Sequence, residues 1–563
     1  VGGEFDFSAM NNRAARQARG EYLLLLNNDT ECIHNDWLDV MMSHAQRPDV
    51  GIVGARLLFP KTLRIQHAGM VLGIDQRAEH VFTHLTYDAP GYMNRALVDQ
   101  EYSAVTGACL LIRTAIFHAV AGLDATLKTL CQDVDLCLKV KELGYRVIWT
   151  PSATLLHHAS ATLGRKPDAQ KSAIIQLEYK ESLARWKHRF TNDPAWNRNL
   201  SLGLRNVIPS LEKELVIPWN PDFHDRPRIL AMPATGHGTV EYRLAGPLRA
   251  LNAQGRLHYA VVCQPRHDEA QFAPHSVELD RLAPDVLLLD TPVDDIRCLA
   301  LLSCKEWNPE IFRVCLLDDL ITMVPESNPM YAKLPSDKIT DRLRFVLNTC
   351  HRLIVSTAPL AEAYRGMIDD IRIVPNALEW KIWGGLQSQR RRGKKLRVGW
   401  AGAQQHAGDL RLVLDVVKAT HKEVDWIFLG MLPEGAKPYV TEFHDYVHHL
   451  ADYPAKLASL DLDLAIAPLE THPFNEAKSN LRLLEYGILG WPVICTDIFP
   501  YQTGNPPVTR LPNNADQWIT AIRERIGEAD SLAREGDALR EWVKRHYLLK
   551  NRLDQWLSAV TKA

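Results

Sequence analysis

Polar residues follow an apolar run near the start of the chain, where they could bind a cation. Asn27, Asn28 and Asp29 come directly after the segment LLLL. Ligands of open α/β sheets bind beyond the carboxyl ends of the strands, and a carboxylate there can hold a hard divalent cation through oxygen. Such a cation would neutralise a diphosphate leaving group. The structural alternative is an Asx turn that caps a helix around Asp36.

Two acids and two histidines farther along the chain extend this set. Asp133 and Asp135 lie in QDVDLCLKV, at the start of a predicted helix. The helix dipole favours first-turn acids and accounts for Asp135. Asp133 can instead face a cleft and act as a general base toward an acceptor hydroxyl. His157 and His158 follow a strand, and imidazole is a common metal ligand. The structural alternative for both histidines is simple hydrogen bonding.

A separate group of residues in the C-terminal half suits phosphate. Lys478 comes just before the helix LRLLEYGILG. The free N–H groups of a helix start favour phosphate, and a lysine adds a point charge. Gly402 lies in a glycine-containing loop after a strand, which allows close approach of a ligand. Glu485 lies on that apolar helix, where a buried charge needs a partner. The alternatives are a solvated lysine and a glutamate paired with a cation.

The elements that would position these residues predict an α/β protein. Residues 1–200 read as one mixed region, in which helices, glycine stops and buried strands alternate. A linker rich in Pro and Asp follows at 201–226. Two similar units, 227–385 and 386–530, alternate strands with helices, which predicts parallel doubly wound sheets, and residues 531–563 form a helical tail. Strands are predicted at 22–26, 50–53, 108–112, 145–149, 228–232, 286–289, 313–317, 353–355, 396–400, 426–429, 464–467 and 493–495.

Composition limits the classes of function. The 563 residues suggest three or four domains. With 65 Lys and Arg against 67 Asp and Glu, the formal net charge of −2 argues against a nucleic-acid partner. The ten cysteines form no C-x-x-C pair, which favours free thiols in a reducing compartment over a zinc site. The chain contains no leader-like opening and no apolar run of about 18 residues, so we expect a cytoplasmic protein.

The basic run at 390–397 has two interpretations. Arginines and lysines dominate the sequence RRRGKKLR. The interpretation we favour is a solvated joint between the two C-terminal units. The alternative is peripheral contact with anionic lipid at the inner face of the plasma membrane, where each cation contributes about 1 kcal/mol.

The N-terminal motifs, taken in order, resemble a known family. They read FDFSAMNNRAARQARGEYLLLLNNDTE, VGARLLFP, RIQHAGMVLG, TGACLLIRTAIFHAVAGLD and CQDVDLCLKVKELGYRVIWTPSATLLHHASATLG. Over about residues 5–165 this order resembles the C-terminal part of a glycosyltransferase family 2 domain, which has the GT-A fold. The family's opening strand, which reads like SIIIPTYN, has no counterpart before Val1. We therefore expect an N-terminally incomplete GT-A domain.

This resemblance implies roles for the residues introduced above. Asp29, at the family's DXD-like position and supported by Asn28, would coordinate Mg or Mn on the nucleotide diphosphate. His157 would be a further metal ligand. Asp133 would deprotonate the acceptor hydroxyl in an inverting displacement. The residues implied to line the acceptor or donor-sugar region are Thr106 and Gly107.

Residues 226–530 resemble a GT-B glycosyltransferase, most similar to family 4. The resemblance rests on the two Rossmann-like units and on PFNEAKSNLRLLEYGILGWPVICTD. It implies that a nucleotide sugar binds in a cleft without a metal, with Gly402 and Lys478 close to its phosphates. Glu485 would bind the ribose as the second glutamate of an E-x7-E motif. The first glutamate of that motif would fall at Ala477, next to Glu476.

The leading hypothesis is a bifunctional glycosyltransferase that uses nucleotide-diphosphate sugars to extend a surface polysaccharide or lipid-linked glycan. In one alternative, only the GT-B module is catalytic and the GT-A part binds acceptor or supports the fold. In another, the protein is a non-catalytic glycan-binding scaffold. A glycosidase is disfavoured because no pair of carboxylates is placed for one. A dinucleotide enzyme is disfavoured because neither Rossmann-like unit carries G-x-G-x-x-G at its first turn.

Overall fold

The computed structural model describes residues 6–128, 130–158, 169–203, 209–213, 215–234, 238–262, 273–329, 331, 336–449 and 451–562. Within them the chain forms two compact units. Unit 1 comprises Val1–Glu214 and Pro274–Leu282, and unit 2 comprises Leu215–Ala273 and Ala283–Ala563. Parts of the predicted linker 201–226 lie outside the described residues, and the predicted domain boundaries stay predictions.

Helices and strands alternate along the described chain. The α-helices are α1 Phe7–Gln17, α2 Trp37–Ala45, α3 Thr114–Ala119, α4 Gln132–Glu142, α5 Ala169–Thr191, α6 Gly238–Val240, α7 Gly246–Ala253, α8 Ser276–Leu282, α9 Asp295–Trp307, α10 Ser336–Thr349, α11 Ala358–Ala363, α12 Trp380–Trp383, α13 Arg411–Thr420, α14 Tyr453–Ala458, α15 Pro473–Glu476, α16 Leu481–Ile488, α17 Phe499–Gln502, α18 Ala515–Arg523, α19 Ala529–His546 and α20 Leu553–Val560. A π-helical turn, Glu241–Ala245, joins α6 to α7.

The strands are mostly short and apolar. They are β1 Tyr22–Leu26, β2 Thr30–Cys32, β3 Val50–Leu58, β4 Ile65–His67, β5 Met70–Ile74, β6 Arg77–His80, β7 Gln100–Glu101, β8 Cys109–Arg113, β9 Arg146–His157, β10 Arg228–Met232, β11 His258–Val261, β12 Val286–Asp290, β13 Phe312–Leu317, β14 Arg352–Val355, β15 Ile371–Ile373, β16 Leu396–Ala401, β17 Val424–Leu429, β18 Glu442–His444, β19 Leu464–Ala467, β20 Val493–Thr496 and β21 Thr509–Leu511.

Unit 1 is built on a mixed seven-stranded sheet. Its strand order is β1-β8-β3-β9-β2, with β4 beside β3 and β7 beside β9. Strand β9 pairs in parallel with β3 and, at its far end, antiparallel with β2. Because β9 runs on to residue 157, beyond the predicted end at 149, the end of β9 lies beside the chain that follows β1. A core that includes Met41, Val53, Leu111, Ile148 and Leu155 supports this sheet.

Helix α8 belongs to unit 1, although it lies inside the range 227–385 that was predicted to be one domain. The Nε of Arg281 donates to the carbonyl of Thr191 at 2.9 Å. Lys187 pairs with Asp280 at 3.0 Å. The chain therefore leaves unit 2 after residue 273 and returns to it at residue 283.

Unit 2 consists of two parallel six-stranded sheets. The sheet of the first lobe has the order β11-β10-β12-β13-β14-β15, and that of the second lobe has the order β18-β17-β16-β19-β20-β21. Every strand pair in both sheets is parallel. In each lobe the chain enters through an inner strand and builds outward in both directions, as Rossmann-like domains do. The predicted α/β class and the pair of Rossmann-like sheets are confirmed.

The C-terminal helices contribute to both lobes of unit 2. Leu539 and Val543 of α19 pack in the second-lobe core with α16. Trp556 of α20 lies in the first-lobe core. The two chain segments that pass between the lobes pair directly, because Leu549 donates its N–H to the carbonyl of Leu378 at 2.9 Å.

Two further observations concern the whole described chain. No helix there has the length and apolar character needed to cross a lipid bilayer. The cysteines that the structure describes are all free.

Candidate functional site

The ends of β1 and β9 bring a carboxylate and an imidazole together in unit 1. Thr30 lies opposite His157 in the β2–β9 pair. The preceding residue, Asp29, therefore lies beside the imidazole ring of His157. The Nε2 of His157 lies 3.1 Å from Oδ1 of Asp29, and the two side chains are only 13% and 18% exposed. The Nδ2 of Asn27 is 3.3 Å from that Nε2. The structure therefore brings the predicted metal-binding pair into contact.

Gln66 determines which nitrogen of His157 carries the proton. Its Nε2 donates to the backbone carbonyl of His157 at 3.2 Å, so its Oε1 is the atom 2.6 Å from Nδ1. Nδ1 then donates, so in the neutral ring the lone pair lies on Nε2, toward Asp29 and Asn27. Burial lowers the pKa of His157, although Asp29 opposes this shift. With the ring neutral, the Nε2 lone pair and Oδ1 of Asp29 lie 3.1 Å apart, so both atoms are available to one cation.

These donor atoms fit a divalent cation. Carboxylate oxygen and imidazole nitrogen are ligands for Mn, and carboxylates serve Mg. A histidine ligand commonly donates its second N–H to a fixed acceptor, as His157 does to Gln66. Among the described residues, no group of three or more His, Cys, Asp and Glu is placed to hold a metal. The protein would therefore supply two ligands, and phosphate oxygens and water would complete the shell, as is usual for Mg.

Asp133 lies in the first turn of α4, and backbone N–H groups hold both of its carboxylate oxygens. Gly107 donates to Oδ2 at 2.9 Å, and Val134 donates to Oδ1 at 2.9 Å. Cys131, with a positive φ of 66°, turns the chain into the helix. These contacts fix the orientation of the carboxylate, as a general base requires.

Two histidines connect the surroundings of Asp133 and His157. Thr106 donates its N–H to Nε2 of His67 at 3.4 Å, and Nδ1 of His67 lies 2.9 Å from Nδ1 of His80. Burial lowers the pKa of both histidines, and His157 lowers both further. The charge of Asp133 raises the pKa of His80. The contacts of His157 with Gln66, of His67 with Thr106 and His80, and of Asp133 with Gly107 place these side chains in one region of unit 1.

Three other polar residues of this region have different surroundings. Asn28 is exposed beside Asp29. His158 is exposed and lies 3.6 Å from the exposed Glu31. Asp135 is buried and pairs with Arg185 at 2.7 Å. The carboxylate of Asp135 therefore has a structural ion pair, in agreement with its structural interpretation.

In unit 2, Glu485 lies on α16 and is 7% exposed. Its Oε1 accepts a hydrogen bond from the hydroxyl of Tyr242 at 2.7 Å, and its Oε2 accepts one from Tyr453 at 3.1 Å. Burial raises the pKa of Glu485, while Tyr242 and Arg482 oppose this shift. Because Tyr242 stands in the π-helical turn of the first lobe, its hydrogen bond joins the two lobes.

Arg482 reaches from α16 to the loop after β16. Its Nη1 donates to the carbonyl of Ala401, its Nη2 lies 2.9 Å from Nε2 of His406, and its guanidinium is 5.0 Å from the ring centre of Trp400. A Cβ added to Gly402 would meet the Trp400 ring at 2.5 Å and Arg482 at 3.1 Å. The glycine at 402 thus allows the Trp400 and Arg482 side chains to pack beside the loop.

Lys478 places a second cation close to this loop. Its Nζ lies 4.8 Å from the ring centre of Phe474. Burial, together with the charges of Lys478 and Arg482, lowers the pKa of His406 to about 3, against the opposing effect of Asp409. In the first lobe, burial raises the pKa of Asp319 to about 6, and Lys478 opposes this shift. Lys478 and Arg482 therefore both act on His406 beyond the carboxyl end of β16, where the carboxylate of Asp409 also lies.

Ala477 and Glu476, at the start of the predicted E-x7-E motif, each form a hydrogen bond that involves a backbone atom. The carbonyl of Ala477 accepts a hydrogen bond from the hydroxyl of Thr357 at 2.7 Å. The Oε2 of Glu476 accepts the N–H of Phe499, at the start of α17, at 3.1 Å. Glu476 therefore caps a helix.

Four arginines of the basic run at 390–397 are paired with carboxylates of the second lobe. The pairs are Arg390–Asp537, Arg391–Asp530, Arg392–Asp461 and Arg397–Glu442. These ion pairs attach the run to the protein, which supports its interpretation as a joint.

Sequence reasoning did not assign roles to Gln66, His67, His80 or Arg482. Gln66 and His67 lie in the motif RIQHAGMVLG, where a fully buried histidine inside an apolar segment is a signal for a specific partner. Arg482 precedes Glu485 by three residues, a spacing at which helical side chains meet. His80 gives no local signal, because its partner His67 lies in another strand.

No family model matches the chain. It is 47% identical over 209 residues to the uncharacterized protein y4gI of Sinorhizobium fredii, which covers 37% of this chain and 23% of that protein. It is 39% identical over 202 residues to the O-antigen biosynthesis protein RfbC of Myxococcus xanthus, which covers 35% of this chain and 15% of the relative. It is 30% identical over 104 residues to the N-acetylglucosaminyl-diphospho-decaprenol L-rhamnosyltransferase of Mycobacterium tuberculosis, which covers 18% of this chain and 34% of the enzyme.

The N-terminal region is similar to family 2 rhamnosyltransferases. The similarity is partial, because the matches span 34% or less of the length of these relatives. Unit 2 contains two parallel Rossmann-like sheets, the arrangement of the GT-B fold. Its own strand order and the all-parallel pairing of both sheets establish this fold.

Solved structures align with the chain at low scores. The lipopolysaccharide outer core galactosyltransferase WaaB, in its apo form, has a TM-score of 0.40 at 15% identity, covering 59% of this chain and 99% of that chain. HepE from Anabaena, in complex with UDP and glucose, has a TM-score of 0.42 at 12% identity, covering 59% of this chain and 98% of that chain. Scores of this size carry no argument about function.

Proposed function

We propose that this chain is a glycosyltransferase that uses nucleotide-diphosphate sugars to extend a surface polysaccharide of the O-antigen type. The observation that carries the proposal is the contact of His157 with Asp29 at 3.1 Å, with the ring held by Gln66 so that a lone pair faces the carboxylate. The printed names of two relatives, an O-antigen biosynthesis protein and a rhamnosyltransferase, support this class of product.

In unit 1, we infer that Asp29 and His157 hold Mg or Mn, with Asn28 beside them. When bound, such a cation neutralises the diphosphate of the departing nucleotide. Asp133 removes the proton of the acceptor hydroxyl as that oxygen bonds to the anomeric carbon, which inverts its configuration. Thr106 and Gly107 line the acceptor or donor-sugar region, and the N–H of Gly107 keeps Asp133 oriented. Fixing this base in advance lowers the cost of reaching the transition state.

In unit 2, we infer a donor site that works without a metal. Lys478 and Arg482 supply positive charge to the leaving diphosphate, and the loop at Gly402 brings backbone close to the phosphates. Glu485 binds the ribose hydroxyls. The two tyrosine hydroxyls on Glu485 leave further lone pairs of the carboxylate available, since an ionised carboxylate accepts about four hydrogen bonds.

The acceptor is a glycan or a lipid-linked glycan, and no nucleic acid is involved. The decaprenol-linked acceptor in the name of one relative supports a lipid carrier. Such a carrier would place the reaction at the inner face of the plasma membrane, with the protein in peripheral contact.

The test is nucleotide release from a panel of UDP-, GDP- and dTDP-sugars, measured with Mn and with EDTA. We expect Asp133→Asn to abolish the metal-dependent release and Glu485→Gln to abolish the metal-independent release. If Asp133→Asn leaves every transfer step intact, unit 1 is not catalytic and the bifunctional proposal is wrong.

A second candidate function assigns catalysis to unit 2 alone, with unit 1 holding the acceptor. The observation that favours it is the pair of cations, Lys478 and Arg482, which unit 2 supplies itself. It predicts that EDTA leaves all nucleotide release unchanged. A non-catalytic scaffold, which the alanine at position 477 favours, predicts glycan binding with no nucleotide release from any donor.

A further inference from the structure

Unit 2 contains a cavity of about 490 Å³ that is separate from the proposed donor residues. Its volume is within the range of roughly 300–1,000 Å³ found for small-molecule sites. None of the residues that line it belongs to the proposed donor site. They are Trp380, Trp383, Gly384, Gly385, Leu386, Gln387, Ser388, Arg390, Ile488, Arg540 and Lys544.

Trp380 gives this cavity an aromatic wall. The residue is 47% exposed, which is high for a tryptophan. The ring packs against Gly384, where any Cβ would collide with the indole, and Gly384 donates its N–H to the carbonyl of Trp380 at 2.7 Å. An exposed indole offers an apolar face at low cost in side-chain entropy, and such a face matches the C–H surface of a sugar ring.

Three cations lie on the other walls of the cavity. The Nη2 of Arg540 donates to the carbonyl of Leu489 at 2.7 Å, and the Nη2 of Arg390 donates to that of Gly490 at 3.1 Å. Both arginines therefore cap the C-terminal end of α16, where a helix favours positive charge. The Nζ of Lys544 lies 6.0 Å from the ring centre of Trp380.

Carboxylates only partly balance these cations. Asp537 pairs with Arg390 at 2.6 Å, and Glu541 pairs with Lys544 at 2.8 Å. Both carboxylates are more than half exposed, so solvent screens their effect. Burial lowers the pKa of Arg540, and the adjacent Arg390 lowers it further, against the effect of Asp537. Three cations therefore face two exposed carboxylates at this wall.

We propose that this cavity binds an acidic saccharide unit, one that carries a carboxylate or a phosphate. The sugar ring stacks on Trp380, and the anionic group lies among Arg390, Arg540 and Lys544. This inference rests on the proposed function only in naming the growing polysaccharide as the source of the ligand. The cavity would hold the glycan at a distance from the reacting sugar, as an accessory subsite.

The test measures binding to the full chain by isothermal titration calorimetry, without nucleotide sugar. The probes are a tetrasaccharide of alternating glucuronate and N-acetylglucosamine, glucose 6-phosphate, and neutral maltotetraose. We expect one or both acidic probes to bind and maltotetraose to bind far more weakly. Whichever acidic probe binds more tightly identifies the anionic group. Equal binding of neutral and acidic probes, or no binding of either acidic probe, overturns the proposal.

Three substitutions locate the binding in the cavity. Lys544→Gln and Trp380→Ala should each lower the affinity for the more tightly bound acidic probe by about tenfold. Gly385→Trp should abolish binding, because a side chain at this position enters open space. The matched controls, Arg545→Gln on the same helix and Phe443→Ala at another exposed aromatic, should leave binding unchanged. Thermal unfolding midpoints close to that of the wild type verify folding.

The outcome separates this proposal from the proposed function. If Lys544→Gln, Trp380→Ala and Gly385→Trp all bind like the wild type, the cavity is not the site, whatever the nucleotide release shows. If they lose binding while the full chain releases no nucleotide, the cavity proposal holds and the proposed function fails.

Discussion

The two candidate sites treat negative charge in opposite ways. Unit 1 brings electron-rich atoms of Asp29 and His157 within 3.1 Å of each other, and we propose that an added cation is needed there before a diphosphate can bind. Unit 2 places Lys478 and Arg482 beyond the ends of its strands and therefore supplies positive charge itself. On this proposal, the charges that each unit supplies decide whether its site needs a metal. Substitutions in one unit should therefore change the reaction of that unit and leave the other unchanged.

The largest effect is expected from Asp133→Asn in unit 1. The amide oxygen can still accept one of the two backbone N–H groups, that of Gly107, but the base is lost. Metal-dependent transfer should fall by about 10² to 10⁴-fold in kcat, the usual contribution of a general base. The assay is sugar transfer with Mn, and the exposed Asp88→Asn is the control. A kcat within twofold of the wild type would show that Asp133 is not the base.

The next effect concerns the residue that orients the proposed metal ligand. Gln66→Leu removes the acceptor for Nδ1 of His157 and should weaken Mn binding by roughly 10- to 100-fold, as loss of such a partner typically does. Mn affinity is measured by electron paramagnetic resonance in the presence of UDP. His158→Ala, an exposed neighbour, serves as the control. Unchanged Mn affinity in Gln66→Leu would show that the hydrogen bond from His157 to Gln66 is not needed for Mn binding.

On the other side of the comparison, Lys478→Met tests whether unit 2 uses its own cations. Loss of one charge near the diphosphate should weaken nucleotide binding in EDTA by about tenfold. The metal-dependent transfer of unit 1 should stay unchanged. Lys418→Met, an exposed lysine on α13, is the control. An effect on the metal-dependent reaction instead would contradict the separation of the two sites.

The smallest effect is a pH dependence of unit 2. His406 has a pKa of about 3 in the fold, below the usual value of 6.5. As the pH falls, His406 therefore takes up a proton in the unfolded chain before it does so in the folded one. The free energy of unfolding is highest above pH 6.5 and decreases as the pH drops below that value. At pH 5.5 the loss should be about 1 kcal/mol. Hydrogen exchange of α16 amides in the wild type and in His406→Gln measures it, and an identical pH response in both would refute the assignment.

Buried parallel strands were the most predictable part of the fold. Strands β10 and β19 were predicted with the bounds observed, because a strand covered on both faces appears as a continuous apolar run. The short strands β2, β4 and β7 were not predicted. They are two or three residues long and take their strand conformation from neighbours in the sheet rather than from a local pattern. For the same reason, the extension of β9 beyond residue 149 depends on its pairing with β3 and β2.

The candidate site was predictable where a motif carried it and not where tertiary contacts built it. Asp29, Asp133 and His157 came from motif order, and the structure places them in one region of unit 1. The His67–His80 contact joins side chains from two strands, so no residue spacing in the sequence predicts it. Likewise, the hydrogen bond from Tyr242 to Glu485 crosses between lobes, and only the folded chain reveals it.

The most direct test of the central claim is Mn binding to the full chain in the presence of UDP, titrated by electron paramagnetic resonance. The claim is that Asp29 and His157 together hold a divalent cation in unit 1. We predict that the wild type binds Mn, that His157→Ala and Asp29→Asn lose this binding, and that His158→Ala retains it. Equal Mn binding by the wild type and both variants, or no binding by any of them, would contradict the account.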